Sequence, residues 1–130
     1  MGNSDGAQAR NPFMEYNNIE ICSISPEGST LKATITENSK NPYGMIHGGL
    51  LYTMIDCAAG ITARADGNRY VTQNVYVNYY SNVLDQDEVF VDSTVIKRGN
   101  AITVIRATVR TEVGKVLAEG DVNMFRRSDK

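Results

Sequence analysis

Alternating apolar and polar residues along the chain predict strands on either side of a single helix. Residues 19–25 alternate, Pro26-Glu27-Gly28 has turn chemistry, and residues 29–36 alternate again, which predicts a hairpin. Further strands are predicted at 70–80, 88–98, 101–111 and 115–125. In the last of these, apolar residues occupy one face and charged or polar residues the other. One face of the sheet is therefore expected to be covered.

Residues 48–64 predict the helix. Apolar residues surround most of its circumference, so we expect burial on nearly all sides, and Ala58, Ala59 and Gly60 are small enough to lie close against a sheet. The order β-β-α-β-β-β-β indicates one α+β domain, in which a curved antiparallel sheet of about six strands wraps a long central helix. Residues 1–14 are expected to form a flexible tail, and 15–127 the folded domain.

Composition narrows the classes of protein that fit this chain. Its 130 residues include 13 Lys and Arg and 15 Asp and Glu, a net charge of −2, which argues against nucleic acid as a partner. The longest nearly uncharged stretch, 41–55, is too short and too polar to span a bilayer. Residues 1–6 lack the basic and apolar parts of a secretory signal. We therefore expect a cytoplasmic protein without a membrane partner.

Cysteine and histidine usage gives no sign of a metal site. Cys22 and Cys57 lie outside any metal-binding spacing and are expected to be buried thiols of a reducing compartment. The chain has one histidine, His47, whereas zinc needs several clustered ligands. We expect no bound metal.

Asp56 is the most informative single residue of the predicted helix. It is the only Asp, Glu, Lys, Arg or His between Gly48 and Ala63. A carboxylate among apolar residues is costly unless it is paired or lies at a cleft. Two interpretations follow: a structural carboxylate hydrogen-bonded across an interface, or a general base or nucleophile.

His47-Gly48-Gly49 stands at the start of the same helix. Glycine amides at this position have no intrahelical partner, so they suit a developing oxyanion. Each feature alone also has a simpler explanation. A glycine pair is often only a turn, a histidine here often caps the helix, and Asn41-Pro42 is a common turn opener.

Together these residues form the pattern Asn-x5-His-Gly-Gly-x6-Asp, from Asn41 to Asp56. The pattern resembles the signature of the hot-dog-fold acyl-CoA thioesterases of the phenylacetate-degradation (PaaI-like) type, and the coarse resemblance covers residues 15–125. It implies a hot-dog domain that hydrolyses acyl-CoA thioesters with neither metal nor organic cofactor, CoA being part of the substrate. It also implies a homodimer or a dimer of dimers.

The resemblance further implies a role for each site residue. The Gly48 amide and the Asn41 side chain would hold the thioester carbonyl oxygen, and Asp56 would activate water or attack directly. His47 would orient the site or the leaving group. Thr72, on the strand after the helix, would help to place the attacking water.

Helix geometry adds a requirement to these roles. At a rise of 1.5 Å per residue, Gly48 and Asp56 are about 12 Å apart along the axis, so both cannot touch one thioester carbon. If both act on the same bond, the carboxylate must come from another subunit, as in a two-fold dimer. The catalytic interpretation therefore requires an oligomer.

Substrate-binding candidates lie at the helix start and at the ends of later strands. Gly49 is expected to approach the substrate through its amide. Two basic segments would either be solvated or contact the CoA phosphates: Lys97-Arg98-Gly99 and Arg126-Arg127. The acyl group would lie between the helix and the facing subunit, where four residues suit either an aryl or a medium-length aliphatic group: Tyr52, Met54, Tyr76 and Tyr79.

Three other functions stay open beside the thioesterase. A hot-dog hydratase or dehydratase would be expected to have a His before a Pro-rich loop or an Asp-x-Asn-Pro-x-His segment, and the chain has neither. A non-catalytic acyl-CoA-binding domain would be expected to lack the helix acid, whereas Asp56 is present. The third is a dimer in which the polar cluster only fixes the interface.

Overall fold

The computed structural model describes residues 11–128 and shows one long helix against six strands. The strands are β1 (Ile19–Ile24), β2 (Gly28–Thr34), β3 (Arg69–Tyr79), β4 (Glu88–Arg98), β5 (Ile102–Arg110) and β6 (Val116–Arg127). The helices are α1 (Pro12–Tyr16) and α2 (Gly48–Arg64), and a 3₁₀ turn occupies Glu37–Ser39. Neither helix has the length and apolar character that a membrane crossing needs.

The strands form one curved sheet in the order β1-β2-β4-β5-β6-β3, and every neighbouring pair is antiparallel. Helix α2 packs against all six strands and lies on the covered face of the sheet. The predicted α+β architecture is therefore confirmed, including the position of α2. Strands β1 and β3 are the two edges of this sheet.

The core lies between α2 and the inner face of the sheet. Leu51, Met54 and Ile55 are fully buried there, and burial of each such side chain stabilises the fold by about 1.5–3 kcal/mol. Close approach requires glycine at position 120, because a Cβ there would stand 2.8 Å from the Tyr76 carbonyl oxygen and 3.2 Å from Ile55 Cγ2. The small residue lets helix and sheet meet.

One strip of α2 escapes the burial that was predicted on nearly all sides. Thr53, Asp56, Cys57 and Arg64 are only partly buried, while most of the remaining helix residues are enclosed. Gly60 lies on the same side of the helix but is itself buried. A Cβ on Gly60 would meet Arg64 Nη1 at 2.9 Å, and its nearest neighbours all belong to that arginine. The expectation that Gly60 allows contact with the sheet is therefore wrong.

The predicted boundary of the N-terminal tail is also wrong for residues 12–14. Helix α1 starts at Pro12, Asn11 caps it by accepting a hydrogen bond from the Met14 N–H at 3.1 Å, and Met14 is buried. An Asn before a Pro at the first helical position is a helix-start signal that the tail prediction overlooked. Residues 1–10 lie outside the described part of the chain.

A second correction concerns Cys22, which is exposed rather than buried.

Candidate active site

His47 caps α2 through its side chain. Its Nδ1 accepts a hydrogen bond from the Gly49 N–H at 2.8 Å. In the neutral ring the proton then lies on Nε2, which becomes a donor toward anything bound outside. The Gly49 amide is thereby committed, whereas the Gly48 N–H has no acceptor among residues 11–128. Of the two glycine amides, Gly48 is thus the one left to bind an oxyanion.

Asn41 organises the loop before α2. Its Oδ1 accepts hydrogen bonds from the Tyr43 N–H at 2.9 Å and the Met45 N–H at 3.0 Å. This is the turn-opening role that the sequence left open. The side-chain Nδ2 has no acceptor within the described residues. Both roles therefore fit one side chain: its oxygen shapes the loop and its NH₂ stays available as a donor.

Tyr79 supports the start of α2 from strand β3. Its hydroxyl donates to the Gly48 carbonyl oxygen at 3.0 Å, and its ring stands 3.4 Å from the place of a Gly48 Cβ. Burial raises the pKa of Tyr79, and proximity to Tyr52 adds to this, so the phenol stays protonated as a donor. A cavity of about 390 Å³ opens beside Gly48, lined by Gly48, Leu51, Tyr79, Tyr80, Ser81 and Asn82.

Asp56 and Thr72 form a direct pair. The Thr72 hydroxyl donates to Asp56 Oδ1 at 2.6 Å, and its oxygen also lies 3.7 Å from Met124 Sδ. A threonine has one hydroxyl proton, so its lone pairs remain free to accept a hydrogen bond from water. The pair thus holds one carboxylate oxygen and leaves an acceptor beside it. This is the arrangement expected of a general base with a bound water.

A β-bulge aims Thr72 at the helix. In the β3–β6 pairing, Thr72 faces Met124 but Asn74 faces Asn123, so Gln73 is the extra residue. Before the bulge Tyr70 and Thr72 point toward α2, and after it Val75 and Val77 are the inward residues. An uninterrupted strand with Val75 inward would have turned Thr72 away from Asp56.

Cys57, the neighbour of Asp56, is no rival nucleophile. Burial raises the pKa of its thiol to about 11, and the Asp56 charge adds to the increase. At neutral pH the sulfur is protonated and weakly nucleophilic. Among residues 11–128, no group of three or more His, Cys, Asp and Glu side chains is placed to hold a metal ion.

Arg98 was expected to contact CoA phosphate, and the structure gives it another role. Its guanidinium forms an ion pair with Asp66 at 2.8 Å. It also donates to the Tyr70 hydroxyl and to three carbonyl oxygens, those of Pro26, Thr62 and Ala63. These bonds satisfy the C-terminal end of α2. The Arg98 guanidinium is therefore engaged within the chain instead of being directed at a CoA phosphate.

The other basic candidates lie at the end of the sheet. Lys97 is exposed, and Gly99 forms the hairpin turn, where a Cβ would stand 2.7 Å from the Ile102 carbonyl oxygen. The Arg126 N–H donates to the Ala101 carbonyl oxygen at 2.8 Å, which brings the two basic segments together.

Of the predicted acyl contacts, Tyr79 lines the cavity beside Gly48. Two do not: Met54 is fully buried, and Tyr76 lies on the outer face with Arg106 and Asp121.

Within one chain the site residues form two groups. Asn41, His47 and Gly48 lie at the start of α2, and Asp56 and Thr72 lie about two helical turns further along. The separation deduced from the sequence therefore holds in the folded chain.

We expect Thr72→Val to lower kcat by roughly tenfold to a hundredfold, because the nearly isosteric side chain can neither orient Asp56 nor accept a bond from water. Thr72→Ser keeps the hydroxyl and should retain most of the activity. Steady-state kinetics on both variants, with melting temperatures as a control for folding, check this. Equal losses in the Val and Ser variants would show that the hydroxyl is not what matters.

Comparison with known proteins places this geometry in a family. Residues 43–118 match the model of the thioesterase superfamily. Acyl-coenzyme A thioesterase 13 of Mus musculus is 22% identical over 105 residues, which cover 78% of this chain and 75% of that protein.

Two solved structures from streptococci share the fold. A Streptococcus mutans protein bound to acetyl-CoA has a TM-score of 0.84 and 22% identity, with 95% of this chain and 96% of that chain covered. A hypothetical thioesterase of Streptococcus pneumoniae with coenzyme A has a TM-score of 0.81 and 22% identity, with coverage of 87% and 88%. Two variants of the latter carry alanine in place of an aspartate and of a threonine sixteen positions later.

Proposed function

Because this chain belongs to the thioesterase superfamily and is a thioester hydrolase, we propose that it cleaves acyl-CoA thioesters to the free acid and CoA, as a PaaI-like enzyme. The observation that carries the proposal is the Asp56–Thr72 pair on the partly buried strip of α2. The acetyl-CoA and coenzyme A in the two streptococcal structures support CoA as the carrier.

Spacing supports the same two residues. Asp56 and Thr72 are sixteen positions apart, as are the aspartate and threonine that were replaced in the S. pneumoniae protein. Between these two positions the chain leaves α2, turns at residues 65–68 and returns along β3. The pair therefore depends on the fold rather than on neighbouring sequence.

The mechanism begins with a water between Asp56 and Thr72. Asp56 takes a proton from the water, whose oxygen attacks the thioester carbon. The negative charge that develops on the carbonyl oxygen is held by the Gly48 N–H and the Asn41 Nδ2. When this intermediate collapses, the carbon–sulfur bond breaks, and the proton from Asp56 neutralises the CoA thiolate. His47, through its Nε2–H, lies on the same side as the oxyanion donors and orients the thioester.

The site is shared between two chains in this proposal. Asp56 and Thr72 of one protomer act on a thioester whose oxygen is held by Asn41 and Gly48 of its partner, because about 12 Å of helix separates the two groups within a chain. Helices that run antiparallel across a two-fold axis would form two such sites per dimer, or four in a dimer of dimers.

Two further surfaces complete the proposal. The cavity beside Gly48, bordered by Leu51 and Tyr79, suits an apolar part of the substrate. The joined basic segments at the end of the sheet, with Lys97 and Arg126 exposed, suit the CoA phosphates.

A panel of thioesters tests the function. Acetyl-, hexanoyl-, decanoyl- and benzoyl-CoA would each be incubated with the protein, and release of free thiol followed with a chromogenic disulfide. We expect turnover of at least one ester, with a preference that reflects the cavity. Release no faster than with Asp56→Asn for every ester, at high protein concentration, would contradict the proposal.

A further inference from the structure

Arg64 is a half-buried cation whose position the mechanism leaves unexplained. Its guanidinium forms no hydrogen bond and no ion pair with any residue from 11 to 128. Burial lowers the pKa of its guanidinium, and the nearby Cys57 and Asp56 act in the opposite direction. An arginine nevertheless stays charged at neutral pH. A charge that is partly removed from water normally has a partner, so a partner from outside this part of the chain is expected.

The side chain points toward the catalytic carboxylate. Arg64 follows Asp56 by eight residues and Gly60 by four, so all three lie on the same side of α2. Its Nη1 stands 2.9 Å and its Cζ 3.5 Å from the place of a Gly60 Cβ. The guanidinium is therefore folded back over Gly60, about one helical turn, or ~6 Å along the axis, from Asp56.

Arg64 is not needed to neutralise the end of the helix. A basic residue in the last turn commonly binds the free carbonyl groups there. In this chain Arg98 donates to the carbonyl oxygens of both Thr62 and Ala63. Arg64 turns away from them, which leaves its hydrogen-bond donors directed at the strip that holds Asp56.

In the proposed dimer, the partner segments that would face Arg64 offer no unpaired anion. In the shared site, Gly48 of the partner faces Asp56, so the partner segment near Arg64 is the one that leads into α2. Residues 40–55 contain no Asp or Glu, and neither does the adjacent edge strand β3. The nearest acid before them, Glu37, forms an ion pair with Lys40 at 3.6 Å. No unpaired carboxylate of these segments is thus available to Arg64, whereas a carboxylate of the substrate could reach it.

We propose that Arg64 is a specificity residue that binds a carboxylate on the acyl group of the substrate. The inference rests on the proposed function, and it narrows the substrate class to CoA thioesters of dicarboxylic acids. A guanidinium binds a carboxylate through two parallel hydrogen bonds, and a partly desolvated site strengthens them. The CoA phosphates carry similar chemistry, but the long pantetheine arm separates them from the thioester, whereas the Arg64 guanidinium lies about one helical turn from Asp56.

Matched substrates test this inference. Adipyl-CoA and hexanoyl-CoA have the same number of carbons and differ in the terminal carboxylate, and their pantetheine thioesters lack the nucleotide phosphates. The wild-type protein should prefer the adipyl esters. Arg64→Gln should lower kcat/KM for both adipyl esters by roughly tenfold to a hundredfold and change the hexanoyl esters by less than about twofold. Arg64→Lys should lie between, because it keeps the charge and loses the planar fork.

The control variant is Arg106→Gln, which removes an arginine paired with Asp121 on the outer face of the sheet and should leave all four values unchanged. A loss confined to the CoA esters, adipyl and hexanoyl alike, would assign Arg64 to the phosphates and overturn the proposal. An equal loss for all four esters would overturn it in favour of a structural role.

A binding measurement without turnover tests the carboxylate site independently of the proposed hydrolysis. Titration calorimetry on the Asp56→Asn background measures the affinity for adipyl-CoA and hexanoyl-CoA without turnover. We expect Arg64→Gln to weaken adipyl-CoA binding by about tenfold or more and to spare hexanoyl-CoA. Absence of hydrolysis by wild type contradicts the proposed function alone. Equal affinities for the two esters, with and without Arg64, contradict the carboxylate site.

Discussion

Asp56→Asn is expected to lower kcat by about a hundredfold to ten-thousandfold, the range of a lost general base. The substitution is nearly isosteric, and the amide oxygen can still accept the hydrogen bond that the Thr72 hydroxyl donates to Asp56 Oδ1 at 2.6 Å. Shape and substrate binding should therefore survive while proton acceptance is lost.

The measurement is single-turnover hydrolysis of the best ester of the panel, together with its dissociation constant. Asp121→Asn is the matched control, because Asp121 forms its ion pair on the exposed face of the sheet. It should behave as the wild type. An Asp56→Asn protein with near-normal kcat would assign Asp56 to structure, the alternative that the sequence left open.

Loss of the Asn41 amide donor should have the second-largest effect, roughly 10²–10³ in kcat with little change in KM. Two substitutions separate its two roles. Asn41→Asp keeps an oxygen for the Tyr43 and Met45 amides, so the loop survives while the Nδ2 donor is lost. Asn41→Ala removes both. We expect both variants to be impaired, with normal thermal stability only for Asn41→Asp.

Near-normal turnover by Asn41→Asp would show that Asn41 only shapes the loop. A change confined to KM would instead assign its side chain to ordinary substrate binding. Either outcome leaves the Gly48 N–H as the remaining oxyanion donor, since the Gly49 N–H is committed to His47.

The same variants test whether the site is shared. Asn41→Ala and Asp56→Asn proteins would be unfolded, mixed and refolded, and subunit exchange confirmed by native mass spectrometry. Half of the dimers are then mixed, and each mixed dimer has one intact site, so about a quarter of wild-type activity should return. If the chemistry lay within one chain, every site would stay damaged and no activity would return.

Local pattern was sufficient for much of the fold. The bounds of α2 agree with those predicted, because the apolar run and the Gly48-Gly49 start are local properties of the sequence. The hairpin of β1 and β2 and the later strands also agree closely. Helix α1 was not predicted, because a helix of five residues shows little periodicity. Its one sequence signal is the Asn11-Pro12 start.

Charge was a less reliable guide than periodicity. Arg98 and Lys97 are adjacent and equally basic, yet Arg98 is held by Asp66 and by carbonyl groups of α2, and Lys97 is exposed. Arg64 shows the converse, since its position in the last turn predicts a helix-end role that Arg98 already performs. Whether a cation is available to bind substrate depends on contacts between residues more than thirty positions apart. Composition does not predict such contacts.

Local sequence patterns are sufficient to predict the order of elements, the helix that carries Asp56, and the ~12 Å that separates this carboxylate from Gly48. The first two follow from the periodicity of apolar residues, and the distance follows from the rise per residue of an α-helix. The hydrogen bond between Thr72 and Asp56 depends instead on contacts between distant segments. A strand alternates its side chains strictly, and the bulge at Gln73 reverses that alternation between Thr72 and Val75. The bulge arises in the pairing of β3 with β6, whose residues lie about fifty positions away in sequence, so no local pattern predicts it.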